Sequence, residues 1–286
     1  MPSSIEYLVS TQDESGGWGY RLGQRPVVEP TAAALLALRD ASLARAAFQK
    51  GIAWLLECQN PDEGWGIHEQ DPESGWQTAW ALLALRSSDR NADAIALGKQ
   101  WLRSVGNYTF TRADFQQAEI PTSLDNAPLI WPWLPDQGVW IEPTAMAVMV
   151  LMDDLPRSEL VKARIEAAVR YFRQYRTPSG GWDQGNAGPL DSLVFPRAYQ
   201  TALVLLALEG AAPQEILPID LSALEEAIAK DQGVLALSAG LLALRTYGAD
   251  QDELQKSLSQ LQLSNGSWED NNFFSAWACM ALRGYL

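Results

Sequence analysis

Cysteine is nearly absent from this 286-residue chain: two occur, Cys58 and Cys279. Both lie in apolar helical stretches at no metal-knuckle or redox spacing, so each reads as a small core residue. Histidine is scarcer still, with His68 the single one. Basic residues are outnumbered, 21 Lys+Arg against 35 Asp+Glu, and they form no run. The resulting net charge of −14 repels phosphate backbones, so nucleic acid is not expected as a partner. No apolar run approaches the ~20 residues of a membrane span. The first residues, Met1-Pro2-Ser3-Ser4-Ile5-Glu6, carry neither the basic nor the apolar region of a signal peptide. The expectation is a cytoplasmic protein that does not cross a membrane.

Apolar residues make up 47% of the chain and charged ones 20%, with 12 Trp and 21 Gly. This is the balance of a globular protein. Its organising feature is a repeat. Thr31-Ala-Ala-Ala-Leu-Leu-Ala-Leu38 returns as Thr78-Ala-Trp-Ala-Leu-Leu-Ala-Leu85, Thr144-Ala-Met-Ala-Val-Met-Val-Leu151 and Thr201-Ala-Leu-Val-Leu-Leu-Ala-Leu208. Weaker copies are Leu237-Ser-Ala-Gly-Leu-Leu-Ala-Leu244 and Ser275-Ala-Trp-Ala-Cys-Met-Ala-Leu282. Ala and Leu favour helix, and a helix apolar on every side must be buried on every side. A more polar stretch precedes each copy, its apolar residues recurring every three or four positions, as in Ile52, Leu55, Leu56 and Ile165, Val169, Phe172. The chain therefore reads as all-α, with six inner helices wrapped by six amphipathic outer ones in one domain over residues 1–286. A closed ring is preferred to an open stack, because neither end has the polar face of a capping repeat.

A Trp-bearing turn separates outer from inner helix. Gln12-Asp-Glu-Ser-Gly16-Gly-Trp18 and Gln262-Leu-Ser-Asn-Gly266-Ser-Trp268 share the spacing Q-x3-G-x-W. Arg176-Thr-Pro-Ser-Gly180-Gly-Trp182 replaces Gln by Arg, and Gln59-Asn-Pro-Asp-Glu-Gly64-Trp65 is a near copy. Repeats three and five depart from the pattern. Gly supplies positive φ, the indole covers the helix end with its N–H on a carbonyl, and the Gln amide bonds orphan backbone groups. These turns resemble the QW repeat of squalene cyclases, other terpenoid cyclases and the prenyltransferase β-subunits. The resemblance implies an (α/α)6 barrel, or toroid, with an oily lumen, and six repeats is the number those toroids have.

The family's chemistry does not carry over residue by residue. Protonating cyclases use D-x-D-D, which is absent; the nearest string, Asp250-Gln-Asp252-Glu253, reads as a helix start. D-D-x-x-D fails at Asp153-Asp154, and no D-x-C zinc pair or C-G-E-Q thioester string occurs. No metal and no cofactor is expected. Candidate acids are the loop carboxylates Asp125 and Asp191, together with Glu142 in Glu142-Pro143-Thr144. That string also occurs as Glu29-Pro30-Thr31, and both read more simply as helix starts. Parallel inner helices would gather their positive ends at one mouth and favour an anion such as a diphosphate there, a field that Glu29 and Glu142 partly cancel. The two long insertions, 106–140 and 183–199, bring Trp131, Trp133, Trp140, Arg197 and Tyr199 to the same region, with Trp76 before the second inner helix. These are the candidate substrate-binding residues, since aromatic faces can stabilise cationic intermediates. His68, in a loop, reads as a surface residue.

Whether the chain is an enzyme stays open at this point. One reading is an isoprenoid or lipid enzyme of the cyclase/prenyltransferase type, with an isomerase, lyase or transferase activity. The second is a non-catalytic toroid that binds a hydrophobic, prenyl-like molecule or a protein partner that completes a site. The third, disfavoured by the QW turns, is a carbohydrate-active α/α barrel using paired carboxylates.

Overall fold

The Ala/Leu segments form helices because they bury completely. In the computed structural model, which describes residues 3–88, 91–106, 129–185, 194–249 and 251–284, the inner helices are α2 (Val28–Leu38), α4 (Gln77–Leu85), α6 (Ile141–Leu151), α8 (Ala198–Ala211), α10 (Val234–Thr246) and α12 (Asn272–Arg283). All residues of α2 are buried, as are nearly all of α6. An isolated helix of nine residues such as α4 is marginal in water. Burial of Trp80, Leu82 and Leu85, each about 1.5–3 kcal/mol, is what holds it. The outer helices are α1 (Ser4–Ser10), α3 (Arg45–Glu57), α5 (Ala92–Ser104), α7 (Glu159–Gln174), α9 (Pro218–Lys230) and α11 (Asp252–Gln260). Each turns an apolar stripe inward, as α7 does with Val161, Ile165, Ala168 and Phe172. No strand forms among the described residues, and the isolated bridges all sit in turns. The all-α reading with alternating outer and inner helices is therefore met.

The acidic helix starts read from the sequence are met, with the boundaries shifted by a residue or two. Helices α2 and α6 begin three residues before the repeated segment, so Glu29 and Glu142 are their second residues and Pro30 and Pro143 their third. The inner helices are thus not free of charged residues. The N-cap of α11 is Gln251, without a side-chain cap bond; Asp252 and Glu253 lie in its first turn, and Asp250 lies outside the described residues.

The described residues form two compact units, Met1–Leu102 with Ile228–Leu286, and Arg103–Ala227. In the first, α10, α12, α2 and α4 pack side by side in that order, so the last inner helix lies against the first. Asn272 fastens this junction: its Nδ2 donates to the Gly19 carbonyl (2.9 Å) and its backbone N–H to that of Tyr20 (2.7 Å), while Oδ1 accepts from the Thr11 hydroxyl (2.6 Å). Arg283 reaches the Ala37 carbonyl at 3.0 Å. An open stack of repeats holds its first and last members apart, so these contacts exclude it. In the second unit α6 packs on α8, and α7 covers both.

The Trp turns make the same clasp each time. The indole N–H of Trp18, Trp65, Trp182 and Trp268 donates to Leu8, Leu55, Phe172 and Leu258 carbonyls at 2.7, 2.7, 2.6 and 2.8 Å. All four rings are fully buried. Their backbone N–H groups donate to Thr31, Thr78, Thr201 and Ser275 hydroxyls at 2.8–3.0 Å, which explains the hydroxyl residue that opens these four inner segments. Gln12 and Gln59 each bridge their own turn and the next outer helix, through Gly16 and Ala47 and through Glu63 and Ala94. Gly51 faces the Trp18 ring so closely that a Cβ there would lie 2.7 Å from it.

The second turn is less divergent than its sequence suggests. Glu63, four residues after Gln59, holds φ +73°, where Gly16, Gly180 and Gly266 hold +107°, +83° and +89°. It is the same turn with Glu at the left-handed position. The third repeat also has its Trp. Thr144 Oγ1 donates to the Trp131 carbonyl at 3.2 Å, as Thr31 does to Trp18 across the same 13-residue separation. Trp131 therefore occupies the turn position that the 106–140 insertion obscured.

Candidate functional site

Each of the two Glu-Pro-Thr helix starts carries a carboxyl gripped by a tyrosine. In the first unit the Tyr20 hydroxyl donates to Glu29 Oε2. In the second, Tyr199 Oη, in the first turn of α8, lies 3.3 Å from Glu142 Oε1. Both carboxyls sit where the helix's positive end would otherwise attract an external anion.

Glu29 is 7% exposed. Burial pushes its carboxyl from the ordinary carboxylate range up to about 7, with the Tyr20 hydrogen bond pulling the other way. At neutral pH it is shared between the acid and carboxylate forms. Beyond Tyr20 runs a wall of rings. Tyr20 meets Phe273 edge-on at 6.1 Å between centroids, Phe273 meets Trp80 at 5.6 Å, and Trp80 meets Trp277 at 5.9 Å. Such geometries place ring edges against the negative ring faces and pack the rings into the core between α4 and α12. In the sequence Glu29 reads as a helix start, and no local pattern marks Phe273, Trp80 or Trp277. The recurrence of Glu-Pro-Thr at 29 and 142 was the available signal; the ring wall joins α12 to α4 and has none.

Of the predicted site residues, Glu142 and Tyr199 come together, and Trp140 stands beside them as the N-cap residue of α6, half-buried like Trp133. Trp131 is 2% exposed, and the Arg164 guanidinium lies 4.3 Å over its ring. Arg164 also donates to the Arg103 and Val105 carbonyls at 2.8 and 3.1 Å, which ties this ring to the turn. Arg197, exposed, pairs with Asp183 at 2.6 Å. Trp76 is half-buried in the other unit, just before α4. Asp125 and Asp191 lie outside the described residues.

His68 accepts the Gln70 backbone N–H at 3.3 Å and lies 3.4 Å from Arg25, in a surface loop. Cys58 and Cys279 are buried free thiols, and burial pushes Cys58 up to about 12, so it stays protonated and inert. Among the described residues no group of His, Cys, Asp and Glu gathers at metal-binding range.

This architecture is that of an α/α toroid, and the comparisons with known proteins bear it out. A variant of the type II terpene cyclase MstE from Scytonema, in complex with its substrate geranylgeranyl dihydroxybenzoate, superposes with a TM-score of 0.62 over 98% of this chain and 94% of that one, at 17% identity. A protein from Actinoplanes matches over 98% and 97% at 16% identity, with a TM-score of 0.61. The segment of Escherichia coli alpha-2-macroglobulin running to its C-terminus contains a similar fold in 42% of its length, at a TM-score of 0.52 and 16% identity, covering 98% of this chain. In sequence, residues 1–122 match the squalene-hopene cyclase C-terminal domain family. No curated protein matches the chain in sequence. The likeness to the terpenoid cyclase toroids read from the QW turns is thus upheld, and it establishes the fold. No described helix is long and apolar enough to cross a membrane.

Proposed function

We propose that this chain is a single cytoplasmic toroid, residues 1–286, that binds an isoprenoid or similar hydrophobic molecule against its inner helices and acts on it as a terpenoid cyclase does. The observation that carries the reading is the apolar build of the inner helices, with the Trp80, Phe273 and Trp277 rings packed between α4 and α12, and with a tyrosine-bonded carboxyl in the first turn of α2 and of α6, Glu29 and Glu142. A surface of that kind suits an apolar guest with few polar contacts. The match of residues 1–122 to the squalene-hopene cyclase C-terminal domain, and the terpene cyclase that holds a geranylgeranyl substrate on the same fold, support it.

In this reading Asp125, Asp191 and Glu142 are the candidate acids, and Trp76, Trp133, Trp140, Arg197 and Tyr199 are the candidates for contact with the guest, whereas Trp131 is held in its turn. The missing D-x-D-D motif favours a second reading, in which the toroid binds the same class of molecule, or a protein partner, without turning it over. Incubation of the purified protein with squalene, prenyl diphosphates and geranylgeranyl dihydroxybenzoate, followed by mass spectrometry of extracted products, separates the two. Turnover that is lost in Asp125→Ala, Asp191→Ala or Glu142→Ala establishes the enzyme. A lipid retained on the intact protein in native mass spectrometry, without turnover, establishes the binder. Neither product nor retained lipid removes both.

A further inference from the structure

Two grooves along outer helices occupy the same place in different repeats. One, of about 830 Å³ in the first unit, lies between α3, the end of α2 and the loop at Ser88 and Asn91. The other, of about 670 Å³ in the second unit, lies between α7 and the turn at 211–215. Counted back from Gln59 and Arg176, which open equivalent Trp turns, every residue that α3 gives to the first groove has its counterpart on α7 in the second. Phe48 and Ile52 stand where Ile165 and Val169 do, so both floors are apolar. The grooves differ in what crosses them. In the second, Arg173 reaches Glu215 with two bonds, Nε to Oε2 at 2.9 Å and Nη2 to Oε1 at 2.6 Å, and the chain bridges its own groove. In the first, Leu56 takes the arginine's place. Ala92, seven positions past Leu85 as Glu215 is past Leu208, takes the glutamate's. No such bridge can form, and Phe48 and Leu56 lie half-buried along an open floor.

Charge differs as well. The second groove is lined by three acids and three bases, the first by Arg39, Arg45 and Asp40 alone. Arg39 pairs with Asp40 at 3.5 Å, whereas Arg45 is exposed and has no ion-pair partner among the described residues. On a chain of net charge −14 this end of the groove is a positive exception. Size and chemistry then narrow the occupant. From Arg45 to Leu56 the floor runs about 16 Å along α3. An α-helix of that length displaces roughly 1,300–1,900 Å³, more than the groove holds. An extended peptide would lay its backbone polar groups on an apolar floor that offers them no partner. A single hydrocarbon chain suits the floor, and a carboxylate suits a guanidinium that can donate two parallel N–H bonds. We propose that the α3 groove binds a long-chain carboxylate of the fatty-acid kind, its tail on Phe48, Ile52 and Leu56 and its head at Arg45 and Arg39. The site lies on an outer helix and is independent of the guest reading for the inner ones.

Equilibrium dialysis of the purified full chain against decanoate, decanol and decylammonium, which share one ten-carbon chain, tests it. Decanoate is expected to bind about fivefold more tightly than decanol, the upper worth of an exposed ion pair, with decylammonium the weakest. Arg45→Glu should erase the preference for decanoate and leave decanol unchanged. Leu56→Arg combined with Ala92→Glu rebuilds the bridge of the other groove, and should weaken decanoate and decanol alike by about tenfold. Circular dichroism checks both variants, and Arg45→Glu, a surface change, decides alone if the double variant does not fold. A chain held on the inner helices is insensitive to these outer changes. Decanoate binding that survives them, equal binding of the three ligands, a preference for the alcohol or the ammonium, or no binding of decanoate to folded protein therefore overturns the groove site.

Discussion

Replacing Glu29 by Gln should make the protein more stable at alkaline pH and leave it nearly unchanged at acidic pH. The folded state holds the Glu29 proton up to about 7, against 4.5 for the ordinary glutamate, chiefly because burial penalises the charge. Between these values the native protein binds more protons at this site than the unfolded chain does, so stability falls as pH rises through the window and levels off above it. A separation of about 2.5 units at 1.36 kcal/mol each amounts to about 3 kcal/mol lost between pH 4.5 and pH 7. Gln is a neutral isostere whose carbonyl can still accept from Tyr20, so the variant lacks this loss. Urea unfolding followed by tryptophan fluorescence, run on both proteins from pH 5 to pH 8, measures the difference directly. Any constant offset from amide packing cancels, and other carboxylates cancel because both proteins contain them. The variant's advantage should grow by about 2.5 kcal/mol across that range, since pH 5 already lies inside the window. An advantage that is flat with pH refutes the reasoning, because it would mean that Glu29 ionises in the folded state as it does in water.

Three further outcomes follow from the turns. Arg176 bonds the fully buried Asp220 at 2.9 Å in place of the usual turn glutamine, so Arg176→Gln should cost about 3 kcal/mol by stranding that carboxylate. In an Asp220→Asn background it should cost much less, which a double-mutant cycle in urea reads out. Glu63→Gly relieves a non-glycine residue at φ +73° and should stabilise by about 1 kcal/mol, seen as a rise in Tm by calorimetry. Trp65→Phe removes the 2.7 Å bond to the Leu55 carbonyl and leaves space in a closed core, at a cost of about 2–3 kcal/mol in the same assay.

The all-α class, the twelve described helices and the clasping role of the Trp turns were legible in the chain because they rest on local chemistry. Eight-residue Ala/Leu segments can only be buried helix, and Gly before Trp can only be a turn where positive φ is needed. Other features were hidden where local spacing broke. Trp131 lies in a long loop without the Gln and Gly of the other turns, and the 13-residue step to Thr144, shared with Trp18–Thr31 and Trp65–Thr78, is the signal that remains. Glu63 is hidden because glutamate is uncommon at a left-handed position.

For the candidate site the division is sharper. That carboxyls open α2 and α6 was visible as a repeated Glu-Pro-Thr. That Glu29 is buried, half-protonated near neutrality and joined by Tyr20 to a wall of Phe273, Trp80 and Trp277 was not, because those rings come from α12 and α4, as much as 248 positions away in the chain. Amino-acid order alone determined which segments are helices and which of them must be buried, through composition and period. The tertiary structure decided which polar groups lose their water and which find a partner, because desolvation depends on neighbours that only the meeting of the first and last repeats brings together.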